Sequence, residues 1–317
     1  MPEEKTRTIA TLLYKRYPHL FINYESARGV VRYHRNEHSV TGKLKDPVGV
    51  RIDEERRDAQ GWKGMPQSMA ESFDDFVLPK ASTRVLVLSD IHFPFHDERS
   101  LIMALEYGMD QKADTIVLNG DIMDCYQLSR YTRDPRVYDI QSELDNMVDF
   151  LTILKREFQC PVYFKAGNHE ERFMNYLKMK APELLGIREF RLDILCKFGE
   201  LGVVNIPDKR IIKAGKLSIL HGHEFGNSTF SPVNPARGYY LRAKRSMIAG
   251  HYHRTSEHSE KDLSGEVTTT WSTGCLCDLS PEYRPFNSWN SGAAMVYIHD
   301  EGKYEVDNFR IIDGKIR

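Results

Sequence analysis

The 317-residue chain has no apolar run approaching the ~20 residues that a membrane-spanning helix requires. Its start, Met-Pro-Glu-Glu-Lys-Thr-Arg, is polar and charged, which argues against a standard secretory signal. Cysteine is scarce. Five thiols cannot form a dense disulfide framework, and Cys275 with Cys277 are too few, alone, for a zinc site. Reduced thiols in a cytoplasm are the simplest expectation. Neither sign of charge is in excess: 44 Lys+Arg against 45 Asp+Glu leave −1, so any site for a polyanion has to be built locally. Internal repeats and low-complexity segments are also missing. What remains is an ordinary globular composition, 41% hydrophobic and 28% charged, in a chain long enough for one large domain and a small appendage.

Two textures follow one another along the chain. Ile9, Leu12, Leu13 and Tyr17 recur at helical spacing before Pro18, and a second helix is expected from about Asn23 to Arg35. Residues 36–80 carry Gly42, Pro47, Gly49, Gly61, Gly64, Pro66 and Pro79 without periodicity, which predicts an extended linker. The division expected is 1–80 for the helical region and linker, and 81–317 for the main domain. From Arg84 onward, strands over Val85–Leu88, Thr115–Leu118 and Val162–Lys165 alternate with helices over 98–112 and 141–158. Beyond residue 200 the strands crowd together: Arg210–Lys213, Leu217–Leu220, Met247–Ala249, Val267–Trp271, Ala294–Ile298 and Glu305–Ile311. That order predicts an α/β (α+β) fold in which two mixed β-sheets pack face to face with helices outside.

Polar residues that bind metals fall at the ends of these strands. They are Asp90-Ile-His92, Gly120-Asp121-Ile-Met-Asp124, Gly167-Asn168-His169-Glu170, His221-Gly-His223 and Gly250-His251-Tyr-His253. Strand ends are rigid while the loops beyond them are exposed, so ligands collect there. In an extended segment residues two apart share a side, so Asp90 with His92, and His251 with His253, are expected to grip one ion each. Carboxylate, imidazole and amide oxygen together suit Mn, Fe or Zn, whereas pure Ca or Mg sites prefer oxygen alone.

This ordered set, Asp-x-His, Gly-Asp-x-x-Asp, Gly-Asn-His-Glu, His and Gly-His-x-His, resembles the calcineurin-like metallophosphoesterases over roughly residues 84–255. The resemblance implies the four-layer αββα sandwich and two divalent metal ions, manganese foremost, with Fe, Zn, Mg or Ni as alternatives. It implies that Asp90, His92 and His253 hold one ion, that Asn168, His221 and His251 hold the other, and that Asp121 bridges both. Hydroxide formed from water then attacks phosphorus in line with the leaving oxygen. His169 is left as the residue that stabilises developing charge or protonates the leaving group, with Asp124 orienting it. His223 is expected either to contact substrate or to serve a structural role behind the ligands, and Arg172 either to touch a phosphate or to form a surface salt bridge; His19, His34, His38, His96, His258 and His299 are expected to be surface or packing residues.

The metal ligands do not choose the phosphate ester. Serine/threonine phosphatases of this superfamily continue Gly-Asp-x-x-Asp with Arg-Gly; here Cys125-Tyr126 follows, which weighs against a phosphoprotein substrate. Two loops interleave arginine with tyrosine, one around Arg130 and Arg133, the other around Arg237 and Arg242. Arginine pairs with phosphate and tyrosine stacks on unpaired bases, so these residues are candidate substrate contacts. Arg28, Arg32 and Arg35 fall on one face of the second helix, and residues 1–64 hold 13 Lys+Arg against 9 Asp+Glu, a net of +4. This arrangement resembles a helix-turn-helix, against which stand docking to another protein and simple packing on the chain's own domain. The leading expectation is a phosphodiesterase or nuclease acting on nucleic acid. The alternative is a phosphatase or phosphodiesterase for a small nucleotide or other small phosphoester.

Overall fold

The computed structural model describes residues 5–21, 23–34, 69–129, 139–207, 209–226 and 233–317. The chain divides into two compact units, 1–70 and 71–317.

In the first unit, helices α1 (Thr6–Arg16) and α2 (Tyr24–His34) form an αα-hairpin joined through Pro18–Leu20. Pro18 ends the first helix as expected, since it removes a donor and excludes its predecessor from helical angles. Ala10, Ala27 and Val31 are buried, and the Tyr14 and Tyr24 rings meet edge-to-face at 6.4 Å. Arg28 is held by Glu25 one turn back, at 3.1 Å, rather than standing as an isolated cation. Arg35 lies outside the described residues, as do His38 and the segment 35–68.

The second unit contains both sheets. One has seven strands: β2 (Arg84–Leu88), β3 (Thr115–Asn119), β4 (Val162–Lys165) and β5 (Val203–Ile206) run parallel, and β11 (Ser291–Ile298), β12 (Tyr304–Ile312) and β13 (Lys315–Ile316) extend it antiparallel from β2, in the order β13-β12-β11-β2-β3-β4-β5. The other has six, in the order β1-β6-β7-β8-β10-β9, where β1 is Phe76–Val77, β6 Ile212–Ala214, β7 Leu217–Leu220, β8 Met247–Ala249, β9 Ser256–Lys261 and β10 Val267–Ser272. Within the stretch read from sequence as linker, β1 pairs with β6 in parallel.

Side-chain alternation explains the layering. Val85, Val87, Val117 and Tyr163 point from the first sheet into one core with Ile219, Ile248 and Trp271 of the second. Their neighbours Leu86, Leu88, Ile116, Leu118, Val162 and Phe164 point the other way, onto helices α3 (Glu98–Asp110) and α4 (Ile140–Phe158). Leu220, Met247 and Ala249 meet Tyr239 of a helix over Pro235–Ala243 on the outer face of the second sheet. Strands buried on both faces read as continuous apolar runs, and these do. Each covering helix starts at a side-chain cap: Asp97 accepts from Ser100 N–H, Asp139 from Ser142 N–H and Asn234 from Arg237 N–H. The αββα architecture is therefore the one expected. Among the described residues no helix is long and apolar enough to cross a membrane.

Candidate metal centre

All five strand-end motifs converge at the carboxyl ends of β2, β3, β4, β7 and β8. Asp90, His92, Asp121, His221 and His253 are buried, and His169 and His251 are partly so. Their polar atoms crowd together. His253 Nε2 lies 3.1 Å from Asp90 Oδ1 and 3.2 Å from His92 Nε2. Asp121 Oδ2 is 3.2 Å from His221 Nε2 and 3.9 Å from both His92 Nε2 and His169 Nε2. Three groups among the described residues bring their donor atoms close enough to hold an ion: His92–Asp121–His169 and Asp121–His221–His251, with Asp121 common to both, and His92–His253–Cys277.

The far nitrogen of each buried histidine is already engaged, which leaves Nε2 for the interior of the site. His221 Nδ1 donates to the Asn119 carbonyl at 2.7 Å, and its buried Nε2 faces Asp121 Oδ2 at 3.2 Å. His92 Nδ1 lies 2.9 Å from Asp124 Oδ1. Asn168 Oδ1 is buried and unpartnered. An acceptor oxygen left bare in a protein interior is costly unless something else satisfies it. A pair of divalent cations fits this donor set.

Electrostatics agree. Burial alone would favour neutral groups, but Asp121 and Asp90 outweigh it at His221 and lift its pKa to about 10. Burial is likewise overcome at His253, chiefly by Asp90, again to about 10. Against the desolvation cost, His253 holds Asp90 down at about 2. His251 has no such support: burial and the charge of His221 lower it to about 4. The metal-free site thus keeps protons where cations would otherwise neutralise the carboxylates.

The expectation that Asp-x-His acts through extended backbone is corrected. Asp90, His92, His251 and His253 have φ of 55°, 57°, 70° and 56°, and Asp121 and Cys125 have 54° and 49°. These are left-handed conformations, costing on the order of 1 kcal/mol each, so surrounding contacts must hold them. Glu170, a residue whose role the sequence reading did not identify, is one such contact. Its carboxylate accepts from the N–H groups of Asp121, Ile122, Met123 and Gly167 at 2.7–2.9 Å. Glu143 does the same for Cys125 and Tyr126, and burial raises its pKa to about 8. Asp90 also accepts from His251 N–H at 3.0 Å. Gly167 and Gly250 are dictated by close approach: a Cβ there would run into Asp121 and Asp90 respectively.

Asp124 serves two histidines. Its Oδ1 is 3.0 Å from His169 Nδ1 as well as 2.9 Å from His92 Nδ1, and its backbone carbonyl accepts from His169 Nδ1 at 2.9 Å. Arg172 donates to the same carbonyl and, at 2.8 Å, to His169 Nε2. A further group missed from sequence is the buried Lys165. It donates to the Arg210 carbonyl at 3.1 Å and pairs with Glu224 at 3.2 Å, which in turn accepts from Gly222 N–H at 2.6 Å beside His221. Cys277 lies 3.8 Å from His253 Nδ1. The two thiols dismissed as a zinc site therefore pack behind a candidate metal ligand, and all five cysteines are free and buried.

A cleft of about 750 Å³ opens beside this centre. His223, bonded to Glu171 at 3.1 Å, lines it together with Arg242, Arg245 and Lys209. Arg237 is exposed on the same helix as Arg242 and is not among the lining residues. Arg130 and Arg133 fall outside the described residues. The histidines expected to be structural pack as such: His96 on the Phe93 ring, His258 against Glu260, His299 against Glu305.

With fold and geometry in place, comparison with known proteins defines the class. The calcineurin-like phosphoesterase family matches residues 83–269. The chain is 32% identical over 229 residues to the Gene 54 protein of Mycobacterium phage L5, covering 68% of this chain and 89% of that protein. It is 31% identical over 179 residues to the Gene 54 protein of Mycobacterium phage D29, covering 55% and 70%. Among solved structures, vacuolar protein sorting 29 from Cryptosporidium parvum is similar with a TM-score of 0.41 at 14% identity, covering 74% of this chain and 94% of that one. The chain belongs to the calcineurin-like phosphoesterase family and is a metal-binding phosphoester hydrolase.

Proposed function

We propose that this hydrolase is a dinuclear phosphodiesterase acting on nucleic acid, with manganese as the preferred metal. The mixed set of carboxylate, imidazole and amide donors supports a borderline metal of that kind. In this reading Asp90, His92 and His253 hold one ion, Asn168, His221 and His251 the other, and Asp121 contributes to both. When bound, the cations supply Lewis acidity toward the phosphoryl oxygens and the attacking water. Asp124 fixes His169 through Nδ1, so Nε2 is the atom that meets the charge growing on the leaving oxygen. Arg172, already within reach of that nitrogen, is placed to pair with a phosphate oxygen.

The observation that carries the nucleic-acid reading is the cleft beyond His223. Three cations, Lys209, Arg242 and Arg245, line it beside the acids Glu171 and Glu224, and cations in a groove are what further phosphates would pair with. Its apolar floor, with Ile211, Leu220 and Phe225, and its volume of about 750 Å³ also favour a second reading, a small nucleotide seated whole. The test is metal-reconstituted activity on a bis-aryl phosphodiester, an aryl phosphomonoester, and single- and double-stranded DNA, each beside an Asp121→Asn control. DNA cleavage lost in the control supports the first reading. Turnover of the small esters alone replaces it with the second. Substituting Arg28, Arg32 and Arg35 together then asks whether α2 contributes: reduced affinity with a shallower salt dependence supports phosphate contact, and unchanged binding returns α2 to packing.

A further inference from the structure

The loop between β10 and β11 carries Tyr283, Arg284, Phe286 and Trp289. Nothing in the motif pattern singles it out, yet it touches the metal site. The Trp289 indole meets the His253 ring edge-to-face at 4.2 Å. Tyr283 lies 6.3 Å from Trp289, and the Arg284 guanidinium sits 5.9 Å above the same indole.

Two features separate this loop from a chance surface aromatic. Its backbone is pinned: Asn287 Nδ2 donates to the carbonyls of Leu279 and Arg284 at 2.8 Å, Asn287 Oδ1 accepts from Trp289 N–H, and Asn290 N–H donates to the His253 carbonyl at 3.0 Å. The loop is therefore positioned by a candidate metal ligand itself. Yet Tyr283 and Phe286 remain 75% and 96% exposed, so rings that would each bury a large apolar area are left in water. Rigid, exposed aromatics with an arginine among them are the means by which proteins hold unpaired bases, because every base has a stackable face.

We propose that the loop 278–290 is a stacking platform for unpaired bases of the nucleic-acid strand whose phosphate reaches the metal centre. The proposal rests on the nucleic-acid reading above and deepens it: the substrate is a single strand, or a duplex locally opened, since paired bases offer no free face. Tyr283 and Phe286 are the outer surfaces of the platform and Trp289 its inner edge against His253.

The experiment uses the full chain carrying His169→Asn, loaded with Mn²⁺, so that cleavage is slow enough for binding to be read by fluorescence anisotropy. An oligothymidylate is compared with an abasic strand of the same length and charge. The proposal expects the thymidylate to bind at least about fivefold more tightly, the smallest effect that stacking one base produces. Tyr283→Ala combined with Phe286→Ala should remove that preference while leaving abasic affinity unchanged, which also certifies that the variant is folded. Equal binding of the two strands by the parent protein, or a preference that survives the double substitution, overturns the platform alone. If neither strand binds at micromolar protein, the platform falls together with the nucleic-acid reading.

Discussion

Asp121 is the residue on which the most converges. Its carboxylate belongs to two of the three candidate ion-holding groups, its N–H is fixed by Glu170, and its backbone is left-handed. Asp121→Asn removes charge shared by two cations and should abolish both metal occupancy and hydrolysis; full activity in that variant, measured beside its metal content, would refute the shared role. His169→Asn should differ in kind. It should leave the metals bound and lower the rate by about 10²–10⁴, as loss of a general acid does. Loss of metal in that variant would make His169 a ligand instead, an option its 3.9 Å distance from Asp121 leaves sterically open. Asp124→Asn should show both defects, because one carboxylate oxygen faces His92 and His169 alike.

At the scale of elements, the loops after β2, β3, β4, β7 and β8 are held by acceptors and charges that reach them from other segments. Lys165 on β4 and Glu224 after β7 tie the two sheets together just beneath His221. Lys165→Met leaves the carboxylate without its cation and should destabilise by about 3 kcal/mol, the lower end for a buried pair because 21% of the Glu224 side chain is exposed. Adding Glu224→Gln should restore much of this in a denaturant titration, and a second loss of equal size would mean that the pair is not what matters. This level also separates what the sequence discloses from what it hides. The strands Val162–Lys165, Leu217–Leu220 and Met247–Ala249 are legible to the residue because both faces are apolar, and the ligand motifs are legible because they follow such runs. β9, with the sequence Ser-Glu-His-Ser-Glu-Lys, has no apolar face and is strand only through pairing with β10. Glu143 and Glu170 sit in helices among ordinary charged residues, and their burial depends on loops far away in sequence. The aromatic loop before β11 has no periodicity at all. Each of these is a tertiary fact without a local signature.

At the largest scale, the second unit is an αββα frame whose carboxyl-end loops face one region. That region stores net negative charge in Asp90, Asp121 and Asp124, which protonated histidines offset when metal is absent. His221 and His253, at about 10, lie above the ordinary histidine value of about 6.5. Their contribution to stability is complete below pH 6.5 and is lost as pH rises through 10. Thermal unfolding followed from pH 6.5 to 10 should therefore show the metal-free protein losing stability, while the metal-loaded protein, whose histidines are already deprotonated, loses less. The same two side chains should release about two protons on metal binding at pH 8, read by calorimetry in buffers of different ionisation heat. No release would mean that they enter the reaction neutral.

The claim beneath all of this is a centre of two cations joined at Asp121. The direct measurement is phosphodiester hydrolysis titrated with Mn²⁺ against a fixed concentration of metal-free protein. The account predicts that activity climbs to a break at two equivalents per chain and stays absent in Asp121→Asn. A break at one equivalent, or hydrolysis undiminished in Asp121→Asn, would contradict it.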